Sequence, residues 1–335
     1  MKFDLIKHKN LNLQFISIIL ISALPLSLLI GSAVINTLVI LIDIIFIVEL
    51  IKSKNIKYLN NKSFYIFILF WSSLLINTLF SDSFNDSITR AIGFIRFVFL
   101  VFAIKYYLSF NDYFYRNKVF KIWSIIFFIV SGDLIFEFIL GYNTLGYRND
   151  LIGRLSGFLD QELKIGHFYF GFILISLSFI YYKYKNIFLL YFFVAIFLII
   201  SFLIGERSNF IKTFIILFLF VFFVDRDFIL RKILFTVTLI AIITSIIFTN
   251  NTYKQRFYTM LITPIMADTM RDGEKLKLSN ILKTNQYGAH YDTAIKIFKN
   301  NIFFGIGLKN FRKESSKNQY INEEFFYFII KQFYN

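Results

Sequence analysis

The chain of 335 residues contains no cysteine, so neither a disulfide framework nor a thiolate metal site can be built. Histidine occurs only three times, which together with the missing thiolates argues against a transition-metal centre. Charged residues are scarce at 17%, against about 25% in soluble domains. There is no phosphate-binding P-loop, no cluster with zinc-ligand spacing and no Ser–His pairing in a supporting context, which removes the common soluble catalytic classes. Alternating segments of about ten residues are also missing, so a transmembrane barrel is excluded.

What the chain has instead is hydrocarbon. Hydrophobic residues make up 57% of it and aromatic residues 21%, with a mean hydropathy of +0.64. They are gathered into blocks of roughly 17–23 residues, the length that crosses an apolar layer of about 30 Å. Lipid offers the backbone no hydrogen-bond partner, so each block must be a helix. The pattern predicts an all-α polytopic transmembrane bundle of about nine spans, near 11–30, 33–51, 63–80, 88–108, 119–140, 166–182, 186–204, 209–225 and 232–249. Residues 1–249 form the bundle on this reading, and 250–335 form a long polar loop with short amphipathic helices. The first block follows the basic segment MKFDLIKHKN and runs past Pro25 without a small-residue cleavage site, so it reads as a retained helix rather than a signal peptide.

The excess of 36 Lys+Arg over 21 Asp+Glu would suggest nucleic acid in a soluble protein. Here it lies mostly in short loops, where it sets orientation and affinity for anionic head groups. KSKNIKYLNNK, KYYLSFNDYFYRNK, YYKYKN and DRDFILRK, with the N-terminus and the span ends, hold about sixteen basic residues. The opposite connections, SDSFNDS and GYNTLGYRNDLIGRLSGFLDQELKIG, hold few. The N-terminus is therefore expected inside, and the 141–165 loop, the turn GERSNF at 205–210 and everything after Asn250 outside. The inner loops are too short to hold a domain for nucleotide-sugar chemistry.

Several charges fall within or beside the spans. Arg90 and Arg96 lie on the fourth, about 9 Å apart along the axis. Asp133 and Glu137 on the fifth are four residues apart and share a face. Ionisable groups at membrane depth face a partner or a wet cavity. Two readings stay open: structural Arg–carboxylate pairing between spans, or an arginine lining an anion cavity with Asp133 as counter-ion. Arg207 sits at a mouth between two spans, where a guanidinium reaches the interface at modest cost. There it can snorkel to head groups, pair with a nearby acid, or clamp a lipid-linked phosphate through its planar fork. Arg154 lies in a turn with Asp160 and Glu162 nearby, and His167 begins the next span. In the tail, Ala294, Ile295, Ile297 and Phe298 give one apolar stripe, so AHYDTAIKIFKN reads as an amphipathic helix on the outer membrane surface. His290 at its start is either an acid/base group or a helix-start residue. The glycines of FFGIGLKNF mark a tight turn. Without a preceding strand or third glycine, they are no dinucleotide fingerprint.

Taken in order, RLSGFLD at 154–160, GERSNF at 205–210, a long loop closing in an amphipathic helix, and FGIGLKNF at 304–311 resemble the O-antigen ligase and polymerase superfamily of bacterial membrane proteins over roughly residues 88–320. The resemblance implies a multi-pass inner-membrane enzyme transferring glycan on the periplasmic face. The donor would be a saccharide on undecaprenyl pyrophosphate, and the acceptor another repeat unit or the lipid A core. It implies no nucleotide, no metal and no other cofactor, and it leaves room for a chain-length regulator as partner. Arg207 and Arg154 are the leading site residues on this basis, with Arg90 and Arg96 as further pyrophosphate ligands and His290 as the acid/base candidate. Polymerase is favoured over ligase because such sequences are highly divergent and similarly rich in Phe, Ile and Tyr. Family ligases carry a later loop histidine followed by closing spans. Here no histidine follows His290, so a truncated and inactive member is one alternative. A lipid-linked glycan flippase or other polytopic transporter is another, although no internal repeat supports it.

Overall fold

The computed structural model describes residues 11–109, 114–148, 151, 153–162, 164–225, 228–259 and 286–320. The basic N-terminal segment, the RDGEK turn, the closing segment EEFFYFIIKQFYN and the side chains of Asp160 and Glu162 lie outside it. Every regular element among the described residues is helical, as the hydropathy pattern requires. Ten longer helices are α1 (Leu11–Ser22), α2 (Leu24–Ile30), α3 (Ser32–Lys52), α4 (Lys62–Leu79), α5 (Phe84–Ser109), α6 (Phe114–Leu140), α7 (Ile165–Tyr184), α8 (Ile187–Leu203), α9 (Arg207–Val224) and α10 (Ile229–Thr249). Two short helices, α11 (Asn251–Lys254) and α13 (Phe311–Glu314), flank the amphipathic α12 (Gln286–Asn300).

Seven of these helices are long and apolar enough to cross a membrane, and the α1–α2 pair makes up to eight. This is a multi-pass membrane protein. The first expected span is not continuous: α1 and α2 are bent by 50° at Ala23. Pro25, in the first turn of α2, explains the break. It donates no backbone hydrogen bond, and its ring clashes with the preceding turn. At 17 residues α8 reaches only about 25 Å. It is also the most enclosed helix, with Val194, Phe197, Leu198, Ile200 and Phe202 all 2% exposed or less.

The chain divides into two compact units. The first joins residues 1–49 to 103–258 and the second joins 50–102 to 259–335. In the first, α6 to α9 pack in sequence around an aromatic stack. Phe127 lies 4.6 Å from Tyr169 and 4.9 Å from Phe197, ring centre to ring centre. Lipid is as apolar as these side chains, so close packing rather than water exclusion holds such a bundle. Tight polar turns join its helices. Asn186 begins α8 by accepting from the amides of Phe188 and Leu189, the usual way an Asn side chain satisfies orphan donors at a helix start.

In the second unit, Trp71 Nε1 donates to the Ala91 carbonyl at 2.8 Å and ties α4 to α5. The FGIGLKN turn docks on the SDSFNDS connection. The Asn310 amide donates to Ser87 Oγ at 2.9 Å and Ser87 Oγ to the Leu308 carbonyl at 3.0 Å, while Phe304 stacks on Phe80 at 3.8 Å. Lys313–Asp86 and Lys317–Asp82 pairs, each at 2.6 Å, flank it. The apolar stripe expected on α12 is split. Ile297 is buried, Thr293 Oγ1 donates to the Tyr320 carbonyl, and Ile295 and Phe298 are exposed.

Asp133 and Glu137 on α6 take neither role foreseen for them. Glu137 Oε1 accepts from the Ser156 amide and hydroxyl, both at 2.8 Å, and Oε2 from the Gly157 amide at 2.7 Å. Asp133 Oδ1 accepts from the Thr144 amide at 2.9 Å and its hydroxyl at 2.6 Å. The two carboxylates are anchors for the loop between α6 and α7. Three donors compensate the burial of Glu137, which is 3% exposed. Glu137→Gln keeps the shape but turns one acceptor into a donor facing backbone N–H groups. It should lower stability by about 2 kcal/mol, read as a drop in the thermal unfolding midpoint of the purified protein in detergent.

Candidate anion site

The site is built where α8 ends and α9 begins. Gly205 closes α8 with φ of +75°, a conformation in which any Cβ is strained. A Cβ there would stand 1.9 Å from the Gly153 carbonyl oxygen. Only glycine lets the 151–157 turn lie against this one. The Leu155 amide then bonds the Ile204 carbonyl at 3.2 Å, and the two turns are held edge to edge.

Glu206 stands at the N-cap of α9 but does not cap it. Its carboxylate, 8% exposed as a residue, turns sideways. Oε1 accepts from the Gly166 amide at 3.0 Å and lies 3.4 Å from Arg154 Nη2. Oε2 accepts from the Asn209 amide group. A Cβ at residue 166 would meet Glu206 Oε2 at 2.6 Å, so Gly166 leaves the room the carboxylate occupies. The acid thus joins the loop, the start of α7 and the first turn of α9. Further along the same face, Lys212 Nζ donates to Asn209 Oδ1 at 3.0 Å.

A third arginine enters from beyond α10. Arg256 lies in a π-type turn, Gln255–Thr259, a feature common at functional sites. Its Nε donates to the Gly205 carbonyl at 2.7 Å, and its own carbonyl accepts from Arg207 Nη2. Aromatic packing fixes this segment. Tyr253 donates to the Leu203 carbonyl at 3.1 Å, and Phe257 stacks 4.7 Å from Phe202. Burial pushes the Tyr253 phenol above its usual range, so it remains a donor.

Arg154, paired with the Glu206 carboxylate, thus shares the junction of α8 and α9 with Arg207, Arg256 and Lys212, which bond the Arg256 carbonyl, the Gly205 carbonyl and Asn209 respectively. Arg207 Nε is buried with no partner among the described residues, although the guanidinium offers five donors in a planar fork. The unfilled donor capacity of Arg207 suits an oxyanion such as a phosphate. Glu206 is already engaged by Gly166, Arg154 and Asn209, so it orients the cations rather than serving as a base.

Of the residues singled out in the sequence, Arg154 reaches Glu206 at the turn that carries Arg207, whose own side chain bonds the Arg256 carbonyl. Arg90 and Arg96 belong to the second unit, as does His290. Arg90 is exposed and Arg96 half-buried, its guanidinium 4.8 Å from the Phe97 ring centre and its Nε without a partner among the described residues. His290 and His167 are both exposed. Sequence reasoning missed Arg256, which lies in the basic run NNTYKQRFYTM immediately after α10. It also missed Asn209, though that residue stands within GERSNF itself.

No family model, curated protein or solved structure matches this chain. The interlock of the two turns makes a specific demand. Gly205→Ala should destabilise the protein by about 2 kcal/mol or more, whereas Gly171→Ala on α7, where a Cβ meets open space, should leave the unfolding midpoint unchanged or raise it.

Proposed function

We propose that this protein transfers glycan on the outer face of the cytoplasmic membrane of a bacterium, with the arginine cluster holding the pyrophosphate of an undecaprenyl-linked donor. One observation supports the reading. Arg154 pairs with Glu206, the residue before Arg207, so the two arginines most expected to share a site meet at one turn, where Arg256 bonds Gly205 and accepts from Arg207. The excess of basic residues in the opposite loops supports an outward orientation for this end of the bundle.

Lipid pyrophosphate is a good leaving group, so the protein's main task is to stabilise the negative charge that grows on it as the glycosidic bond breaks. Preorganised cations at the departing oxygens do this without reorganising water. Arg207 is the primary ligand, because it holds unfilled donor capacity at the mouth between α8 and α9. Arg154 is the second. Arg256 sets the position of Arg207 through its carbonyl and brings its own charge. The product is a polymer extended by one repeat unit, in preference to ligation onto the lipid A core.

In the source strain, Arg207→Ala and Arg154→Ala should each abolish the ladder of surface polysaccharide at normal protein abundance, leaving core plus a single repeat. Arg207→Lys should restore little of it, because an ammonium cannot reproduce the fork. Loss of every repeat from the core, with polymer kept on the carrier lipid, would reassign the protein as a ligase. An unchanged ladder at normal abundance would remove Arg207 from the mechanism.

A further inference from the structure

A second polar site lies in the first unit, away from the arginine cluster, where α1 begins and α3 ends. Glu49 of α3 is 2% exposed. Its Oε1 accepts from the Gln14 amide group at 3.1 Å, and its Oε2 is buried without a partner. Two more buried oxygens are in the same state. Ser17 on α1 and Tyr107 on α5 are both fully buried, and neither hydroxyl completes a hydrogen bond among the described residues. They converge, for the Tyr107 phenol lies near enough to interact with both Ser17 and Glu49, without hydrogen-bond geometry to either. Phe46, packed 6.3 Å from Tyr107, and Tyr106, 5.2 Å from it, wall the group in.

A bare carboxylate in such surroundings is expensive, because it loses its hydration and gains only a neutral amide donor. The groups shown at Glu49 are Gln14 of α1 and Tyr107 of α5, with Ser17 beside the phenol, and none of them carries a positive charge. The other buried acid on its own helix, Asp43, lies six residues, or about 9 Å, away. No described Lys or Arg forms an ion pair with Glu49. Among the described residues, three oxygens from three helices each lack a hydrogen-bond partner and one carboxylate lacks a cation, and together they define the missing component. It is a small monovalent cation that oxygen ligands accept.

We propose that Glu49, Ser17, Tyr107 and Gln14 form a buried site for one monovalent cation, occupied either by a proton on Glu49 or by a sodium ion held among the four side chains. With a proton, the neutral carboxyl donates to the Tyr107 or Ser17 oxygen and accepts from the other hydroxyl, satisfying all three orphan atoms. With sodium, the same oxygens become ligands of a hard cation. Both forms neutralise the site, and removing the cation leaves a charge that the α1–α3–α5 packing must open to hydrate. The site therefore couples ion occupancy to the packing of these helices.

The test uses the full-length protein in lipid nanodiscs, with infrared difference spectra recorded across a pH series in potassium buffer and again with sodium chloride added. A protonated-carboxyl stretch that titrates and is lost in Glu49→Gln establishes the proton form. A band that sodium suppresses, with saturable binding of radiolabelled sodium falling at least tenfold in Glu49→Gln and in Ser17→Ala, establishes the sodium form. Tyr107→Phe should shift the titration midpoint while leaving the protein folded, which a purely structural phenol would not do. Absence of both the band and sodium binding in a folded wild-type protein would mean that Glu49 is ionised without a cation, and the proposal would fail.

Discussion

The Glu206 carboxylate is the constraint on which the junction of α8 and α9 depends. One buried acid accepts from the start of α7, from the first turn of α9 and from the loop arginine that precedes α7. A buried carboxylate needs such company, because an unpaired charge there costs several kcal/mol. The same requirement fixes its neighbours. Gly166 must lack a side chain to leave space for it, and Gly205 must lack one so that the 151–157 turn can approach. Arg154 is thus placed by the need to satisfy one negative charge, while Arg207 is held through the Arg256 carbonyl.

The aromatic residues do a different job. Phe202, Tyr253 and Phe257 form a packed group that returns the chain after α10 to the end of α8. Without that return Arg256 would be one more basic residue in a solvated tail. With it, a cation from beyond the last long helix joins two from the preceding loops. Rigid aromatic packing around a polar cluster holds its guanidinium groups in place.

Much of this was legible in the sequence, for physical reasons. Helices in lipid must be about 20 apolar residues long, so the blocks announced a multi-pass helical protein. Seven helices, or up to eight with the bent pair, are long and apolar enough to cross, where about nine spans were expected. Charge in an apolar setting is conspicuous, which is why Arg154, Glu206 and Arg207 stood out. What stayed hidden depended on contacts distant along the chain. Arg256 looks like any basic residue after a span until Tyr253 and Phe257 are seen to pack on Phe202. Asp133 and Glu137 share a helix face as expected, yet loop amides and hydroxyls satisfy them, and hydropathy does not reveal backbone donors. The break at Ala23 was foreshadowed only by Pro25. The stripe on α12 was real in spacing but split in space, because Tyr320 covers one side of that helix and not the other.

The central claim is that the arginine cluster recognises a lipid-borne pyrophosphate, and equilibrium binding tests it most directly. The purified protein in nanodiscs would be titrated with a polyprenyl pyrophosphate and with the corresponding polyprenyl alcohol, for wild type and Arg207→Ala. The account predicts that the pyrophosphate binds the wild type more tightly than the alcohol. It also predicts that Arg207→Ala weakens the pyrophosphate alone by tenfold or more, the loss of about 1.4 kcal/mol expected for a charge-assisted contact. Equal affinity for the two lipids, or an Arg207→Ala protein that binds pyrophosphate as the wild type does, would contradict it.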